Sequence, residues 1–363
     1  MIMVETLFTP IKVGNMELKN RVVLAPLTRF RVEDDGSPMS DLVPEYYSKR
    51  ALIPGTLLIA EATDVSLFAG AYSNVPGIYT EDQVAAWKKV TDAVHSKGSY
   101  IFLQIWAIGR INPGNKQTDV YSASATQFDN YPAARSLTIE EIIKLEDDFA
   151  AAASTAIKAG FDGVEIHGAH GYLIDQFTES TSNFREDIYG GSVENRSRFL
   201  LEILDKVTSA IGDKKVGVRL SPTSNSQIKK MDDPVPTFSY IVKSIQDKHP
   251  ELAYIHMVEP RISGIEEREV QPGESTDQYR NIFKGPWIAA GGFMPDTAEA
   301  YVEAHENTLT AFGRYFISNP DLVAKIKEGL PLTKYDRDSF YTPKSNNGYN
   351  TYEYDERLKG KYF

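Results

Sequence analysis

The sequence predicts an α/β protein folded as a (β/α)8 TIM barrel, and three observations predict it. Eight short apolar runs recur along the 363 residues. Longer stretches with helical spacing lie between them. No G-x-G-x-x-G follows the first run, where the competing open doubly wound sheet would carry its dinucleotide turn. The runs are nearly continuous rather than alternating, which is how parallel strands covered on both faces read.

The strands are expected at 21–26, 56–62, 99–106, 163–167, 216–221, 253–259, 287–292 and 309–313. Thr80-Glu81-Asp82-Gln83 is a capping box, and Val84, Trp87, Val90 and Val94 follow on one helical face, stopped by Gly98. Thr138 to Glu141 is a second box, leading into Ile142, Leu145, Phe149, Ala153 and Ile157. Ser192 opens a helix whose stripe runs from Phe199 to Ile211 and ends at Gly212. Asn319-Pro320 is expected to open a last helix, with Pro at its first position. We read residues 1–363 as one barrel domain. The polar stretch 111–136 after the third strand is read as a capping excursion able to hold a small hairpin. The tail from Tyr335 lacks helical spacing.

Composition narrows the function. There is no cysteine, which excludes disulfides, iron–sulfur clusters, thiolate zinc sites and cysteine nucleophiles. A net charge of −11 argues against a nucleic-acid partner. No apolar run approaches the ~20 residues that span a bilayer. Residues 1–10 lack a basic region followed by an apolar core, so a cytoplasmic protein without a signal peptide is expected. Association into a homodimer is compatible with all of this.

Barrel enzymes place their chemistry at the C-terminal ends of the strands. Those ends carry Pro26 and Thr28, Glu61 and Ala62, Gln104 and Trp106, then His167, His170 and Tyr172, then Arg219, Glu259, Gly291 and Gly292, and Gly313 and Arg314. Two of the six histidines fall in the stretch Val164 to Leu173. His167 and His170 read as metal ligands, as satisfied core residues, or as donors to a carbonyl or anion. The strand-end position favours donors, and no third ligand stands nearby for a metal. Tyr172 is protonated at neutral pH and able to give its proton to a carbanion. Paired glycines and Arg314 suit a phosphate, although both also serve as ordinary turns and surface ion pairs. Gln104 and Arg219 suit a planar ring. The plainer alternative has Gln104 satisfying backbone groups and Arg219 paired with Glu165. A Schiff-base aldolase would need a strand-end lysine, and none is present.

The chain resembles the old yellow enzyme family of FMN-containing ene-reductases, its yeast members in particular. The resemblance rests on Leu18 to Arg21, Ala25 to Arg29, Gly163 to His167, Thr181 to Arg196 and Gly313 to Leu322, and it runs from Leu7 into the tail. It implies non-covalent FMN, with NADPH as reductant and NADH also allowed. It implies that Thr28 bonds the flavin O4, Gln104 the pyrimidine edge and Arg219 the N1–C2 region. Pro26 and Ala62 would line the flavin, and Gly291, Gly292, Gly313 and Arg314 would hold the phosphate. His167 and His170 would bind the carbonyl of an enone or a phenolic ligand, Tyr172 would protonate the α carbon, and Tyr72, Trp106 and Tyr349 would line the pocket. Relatives often have Gly where Ala62 stands and some have Asn where His170 stands. Hydride would then pass from NADPH through FMN to Cβ of an unsaturated aldehyde, ketone, imide or nitroalkene. The alternative is an FMN protein that sequesters phenols or steroids with little turnover.

Overall fold

The computed structural model describes residues 5–70, 72–113, 119–263, 266–271 and 273–363. Its strands in chain order are β1 (Ile11–Val13), β2 (Met16–Leu18), β3 (Val22–Leu24), β4 (Leu57–Asp64), β5 (Tyr100–Trp106), β6 (Tyr121–Ser122) and β7 (Arg135–Ser136). Then follow β8 (Gly163–Gly168), β9 (Val216–Leu220), β10 (Tyr254–Val258), β11 (Ile262–Ser263), β12 (Glu266–Glu267), β13 (Trp287–Ala290) and β14 (Thr308–Phe312). Strands β3, β4, β5, β8, β9, β10, β13 and β14 close a barrel in that order, β14 pairing back to β3, and every pairing is parallel. The eight apolar runs are these eight strands. They are buried on both faces because helices cover the outside while side chains fill the inside.

Both expected capping boxes form, with Thr80 accepting from the Gln83 amide and Thr138 from the Glu141 amide. Ser192 accepts from the Asn195 amide and starts the helix Val193–Ile211. Its residues Phe199, Leu200, Ile203, Leu204 and Val207 are buried in the main core.

Three features differ from expectation. The N-terminal hairpin β1–β2 lies outside the eight expected strands, although Ile-Lys-Val-Gly-Asn-Met-Glu-Leu alternates around a Gly-Asn turn. Its Ile11, Val13, Met16 and Leu18 pack on Leu57, Ile59, Phe102, Tyr254 and Ile288, so it plugs the N-terminal end of the barrel. The 111–136 excursion holds no hairpin among its described residues: β6 and β7 pair in parallel, because the chain loops through 123–134 and returns in its original direction. Residues 114–118 of this excursion lie outside those described. The last helix starts at Leu322 with Asp321 as its cap, not at Asn319-Pro320. A residue before proline avoids helical dihedrals, and the Asn319 amide is committed to the Tyr315 and Thr333 carbonyls. A separate short helix, Arg314–Ser318, follows β14 directly with Gly313 at its cap.

Candidate active site

A cavity of about 1050 Å³ opens at the C-terminal end of the barrel, large enough for a cofactor and a second ligand. Its floor is made of small residues, Ala25, Ala62, Ala290 and Ala311, with Pro26 beside them. Small side chains leave a level surface on which a planar ring can lie.

Ala62 reaches that surface through a bulge. The β4–β5 register shifts between Ala60 and Thr63, so Glu61 and Ala62 no longer alternate as plain strand residues. Glu61 turns away from the cavity into a buried nest, where it accepts from the Arg29 amide at 3.3 Å and meets the Tyr47 hydroxyl at 3.5 Å. Burial pushes its carboxyl up to about 7, against the pull of Arg29 and Arg31. Glu259, also at a strand end, turns outward to Thr276 and Tyr301.

One wall carries the titratable groups. His167 is at the end of β8, and its Nδ1 accepts from the Ala169 amide at 3.3 Å. That bond leaves the ring proton on Nε2. His170 sits in a left-handed turn with φ of 57°, its amide donating to Ser221 Oγ at 2.8 Å. Gly171 follows at φ 79°, where an added Cβ would lie 2.7 Å from the Ser226 carbonyl. The tight turn therefore brings both histidines and Tyr172 to one wall: the His167 ring lies 6.1 Å from His170 and 5.0 Å from Tyr172, edge-on in each case. Trp106 packs edge-on against Tyr172 at 4.5 Å and stacks at 6.1 Å on Tyr72.

Burial holds both imidazoles well below their ordinary range, and the Arg219 charge adds to the effect. They are neutral donors at pH 7. Burial also pushes the Tyr172 hydroxyl up to about 12, with a hydrogen bond from Gln227 partly offsetting it. The chain's polar wall thus offers three protons and no positive imidazolium.

Arg219 faces the same cavity and its Nε, though buried, has no hydrogen-bond partner among the described residues. It is not bonded to Glu165, which is instead taken by Gln104 and His256. A buried guanidinium with an unused donor is costly unless an electron-rich ligand completes it. The opposite end of the cavity gathers Arg261, Arg314, Lys334 and Arg337, a basic cluster in an acidic protein. Gly291, Gly292 and Gly313 line it there. A Cβ on Gly291 would stand 2.6 Å from Glu259 Cβ, and Gly292 adopts φ 64°, so this backbone can be approached only because it is bare. A planar ring over the alanines with its phosphate among the basic residues therefore fits the residues present.

Of the residues singled out from sequence, Pro26, Thr28, Ala62, Tyr72, Gln104, Trp106, His167, His170, Tyr172, Arg219, Gly291, Gly292, Gly313 and Arg314 all line this one cavity. Tyr349 does not. It is fully buried, stacked on Tyr46 at 4.1 Å, with the Arg29 and Arg31 guanidinium groups at 5.2 Å and 5.1 Å from its ring centre. Tyr341 from the same tail lines the cavity in its place and meets Phe30 at 5.8 Å. Tyr131, Ser226, Gln227 and Tyr335 also line it. None carried a sequence signal, because all lie in loops without periodicity.

A parallel barrel with a flavin-shaped cradle and a wall of proton donors defines a flavin-binding barrel oxidoreductase. Comparison with known proteins agrees. Residues 6–333 match the NADH:flavin oxidoreductase / NADH oxidase family. The chain is 46% identical to an NADP-dependent oxidoreductase (lnbE) of Aspergillus flavus, covering 98% of each protein. It is 46% identical to a chanoclavine-I aldehyde reductase (fgaOx3) of Penicillium roqueforti, covering 96% of each. The crystal structure of Old Yellow Enzyme from Pichia sp. AKU4542 superposes with a TM-score of 0.89 at 40% identity, covering 97% of this chain and 94% of that one. The chain belongs to the NADH:flavin oxidoreductase / NADH oxidase family, that of the old yellow enzymes. It is an FMN-dependent ene-reductase that acts on activated alkenes. Among the described residues no helix is long and apolar enough to cross a membrane.

Proposed function

We propose the following division of labour among the residues of this site. Thr28, Gln104 and Arg219 bind the polar edge of the isoalloxazine. Pro26 and Ala62 pack along it. Gly291, Gly292, Gly313 and Arg314 hold the phosphate. FMN held there would supply the two-electron chemistry of hydride transfer between NADPH and an activated alkene. His167 Nε2–H and His170 hold the carbonyl oxygen of the substrate. Because both rings are neutral, they stabilise the charge that grows on that oxygen without giving up a proton. The Tyr172 hydroxyl gives its proton to Cα and recovers one from solvent. Tyr72, Trp106 and Tyr341 wall the space over the flavin and exclude water from it.

The observation that carries this reading is the wall itself: two neutral imidazoles and a protonated phenol set beside an Arg219 whose buried Nε is unused. The same wall suits phenols, whose oxygen would take the place of the carbonyl. The test is to titrate the yellow protein with p-chlorophenol and follow its visible spectrum. A long-wavelength charge-transfer band is expected, and its loss in the double variant His167→Ala/His170→Ala. A band that survives both substitutions sinks the assignment. The need for NADPH, which cells keep in their interior, favours a cytoplasmic setting. Cell fractionation with an antibody checks it.

A further inference from the structure

A charged group below the cavity floor takes no part in the mechanism above. Glu165 lies on β8, paired in register with Gln104 of β5 on one side and Gly217 of β9 on the other. Its side chain points into the barrel and is fully buried. One carboxylate oxygen accepts from Gln104 Nε2 at 2.7 Å, and the other from His256 Nδ1 at 2.8 Å. Space for this arrangement comes from Gly217, where a Cβ would lie 2.3 Å from the Tyr254 ring. The His256 Nε2 has no partner among the described residues, and burial and Arg219 together disfavour a second proton on that ring. His256 is therefore a neutral donor. Burial opposes the charge on Glu165, but His256, Arg219 and Gln104 outweigh it and hold the carboxyl below its ordinary range. An ionised carboxylate is thus kept inside the barrel, beside Gln104 and close enough to Arg219 for its charge to be felt.

Packing does not require such a charge, since an apolar side chain of similar volume would avoid the desolvation cost. What the carboxylate does is constrain its two neighbours. By taking one N–H of Gln104 it fixes which way round that amide stands, so the Oε1 and the second N–H are left for a ligand in the cavity. By standing near Arg219 without bonding it, it reduces the positive potential there while leaving the guanidinium donors unused. We propose that Glu165 is a positioning residue that sets both the affinity and the reduction potential of bound FMN, acting through Gln104 and Arg219. This rests on the reading of those two residues as flavin contacts.

The test compares wild-type protein with Glu165→Gln, Glu165→Asp and His256→Gln. Two quantities are measured: the midpoint potential of bound FMN by dye equilibration, and the Kd of FMN for the apoprotein by fluorescence quenching. Glu165→Gln removes the negative charge and favours the electron-richer reduced form. The ratio of oxidised to reduced FMN dissociation constants should rise about tenfold or more, a positive shift of roughly 30 mV for a two-electron couple. His256→Gln removes an uncharged donor and should leave the potential within a twofold change of that ratio. Glu165→Asp keeps the charge but withdraws the acceptor from Gln104. It should weaken FMN binding about tenfold with little change in potential. Wild-type potential in Glu165→Gln overturns the proposal. If that variant does not fold, wild-type FMN affinity in Glu165→Asp overturns it equally. Gln104→Ala separates the two levels of argument. If it leaves the FMN Kd unchanged, the flavin-contact reading fails, whatever the Glu165 variants do.

Discussion

Replacing Tyr172 with phenylalanine isolates a single atom. The ring is gripped edge-on by Trp106 at 4.5 Å and His167 at 5.0 Å, and phenylalanine keeps both contacts. What goes is the hydroxyl. General acid catalysis contributes roughly 10²–10⁴-fold, most when the acid's pKa lies near the working pH. Burial has moved Tyr172 away from that optimum, up to about 12. The loss should therefore fall in the lower part of the range, about 10²–10³-fold, or roughly 3–4 kcal/mol of barrel-held transition-state stabilisation. The assay is stopped-flow absorbance of the two half-reactions taken separately. Reduction of the yellow protein by NADPH needs no proton at Cα and should change less than about threefold. Reoxidation by cyclohexenone should show the full loss. Equal slowing of both halves would refute the proton-donor role, because it would mean that the substitution had disturbed the shared pocket. An unchanged reoxidation rate would refute it more directly.

Other outcomes follow from the same groups. Since His167 and His170 are held well below ordinary histidine values and Tyr172 is pushed up to about 12, none changes its proton between pH 6 and 9. The reoxidation rate should be flat there, and a break near ~6.5, where ordinary histidine titrates, would contradict the neutral pair. Glu61 has a folded-state pKa of about 7, above its unfolded value, so the native state binds the extra proton between roughly pH 4.5 and 7. The contribution of Glu61 to stability should fall by about 3 kcal/mol as pH rises through that window and then level off. Urea unfolding at pH 5 and pH 8 should show a slope that is smaller in Glu61→Gln by about that amount, the remainder coming from other raised carboxyls such as Glu146. Lys230 is buried between Asp175 at 2.7 Å and Glu179 at 2.9 Å, so Lys230→Met strands two carboxylates and should cost about 3–5 kcal/mol in the same assay. An effect below about 1 kcal/mol would mean that the triad holds itself together without the lysine. Gly291→Ala places a Cβ against Glu259, and the forced backbone shift should weaken FMN binding about tenfold, read by fluorescence.

The barrel was legible because parallel strands covered on both faces leave unbroken apolar runs, and the polar residues that interrupt them are conspicuous. His167, Gln104 and Arg219 stood out for that reason, and the cavity gathers all three. The same logic fails where the chain leaves regular geometry. Nothing in Leu-Ile-Ala-Glu-Ala-Thr shows that a bulge sends Glu61 away from the cavity while Ala62 stays on it. In the tail, Tyr341 and Tyr349 are chemically alike and lie in equally aperiodic sequence. The difference between them is made by Arg29 and Arg31, more than three hundred residues away, which draw Tyr349 into the interior. Gln227 was hidden similarly, its left-handed backbone at φ 58° aiming a loop residue at Tyr172. Local sequence reports which face of a strand is buried, but not which distant backbone a loop will lean on.

The grip of those two arginines on the tail has a temporal consequence. Arg29 donates to the Phe340 and Gly348 carbonyls, and Arg31 to those of Ser339, Phe340, Ser345 and Asn347. The donors are synthesised more than three hundred residues before the acceptors. The barrel strands are complete at Phe312, yet Tyr335, Arg337 and Tyr341 still have to arrive before the cavity has its outer wall. A nascent chain can thus close its barrel while its reaction chamber stands open, and the chamber is sealed only once the segment holding Tyr335, Arg337 and Tyr341 has followed. The part of the wall that arrives last is therefore laid onto a barrel already closed beneath it.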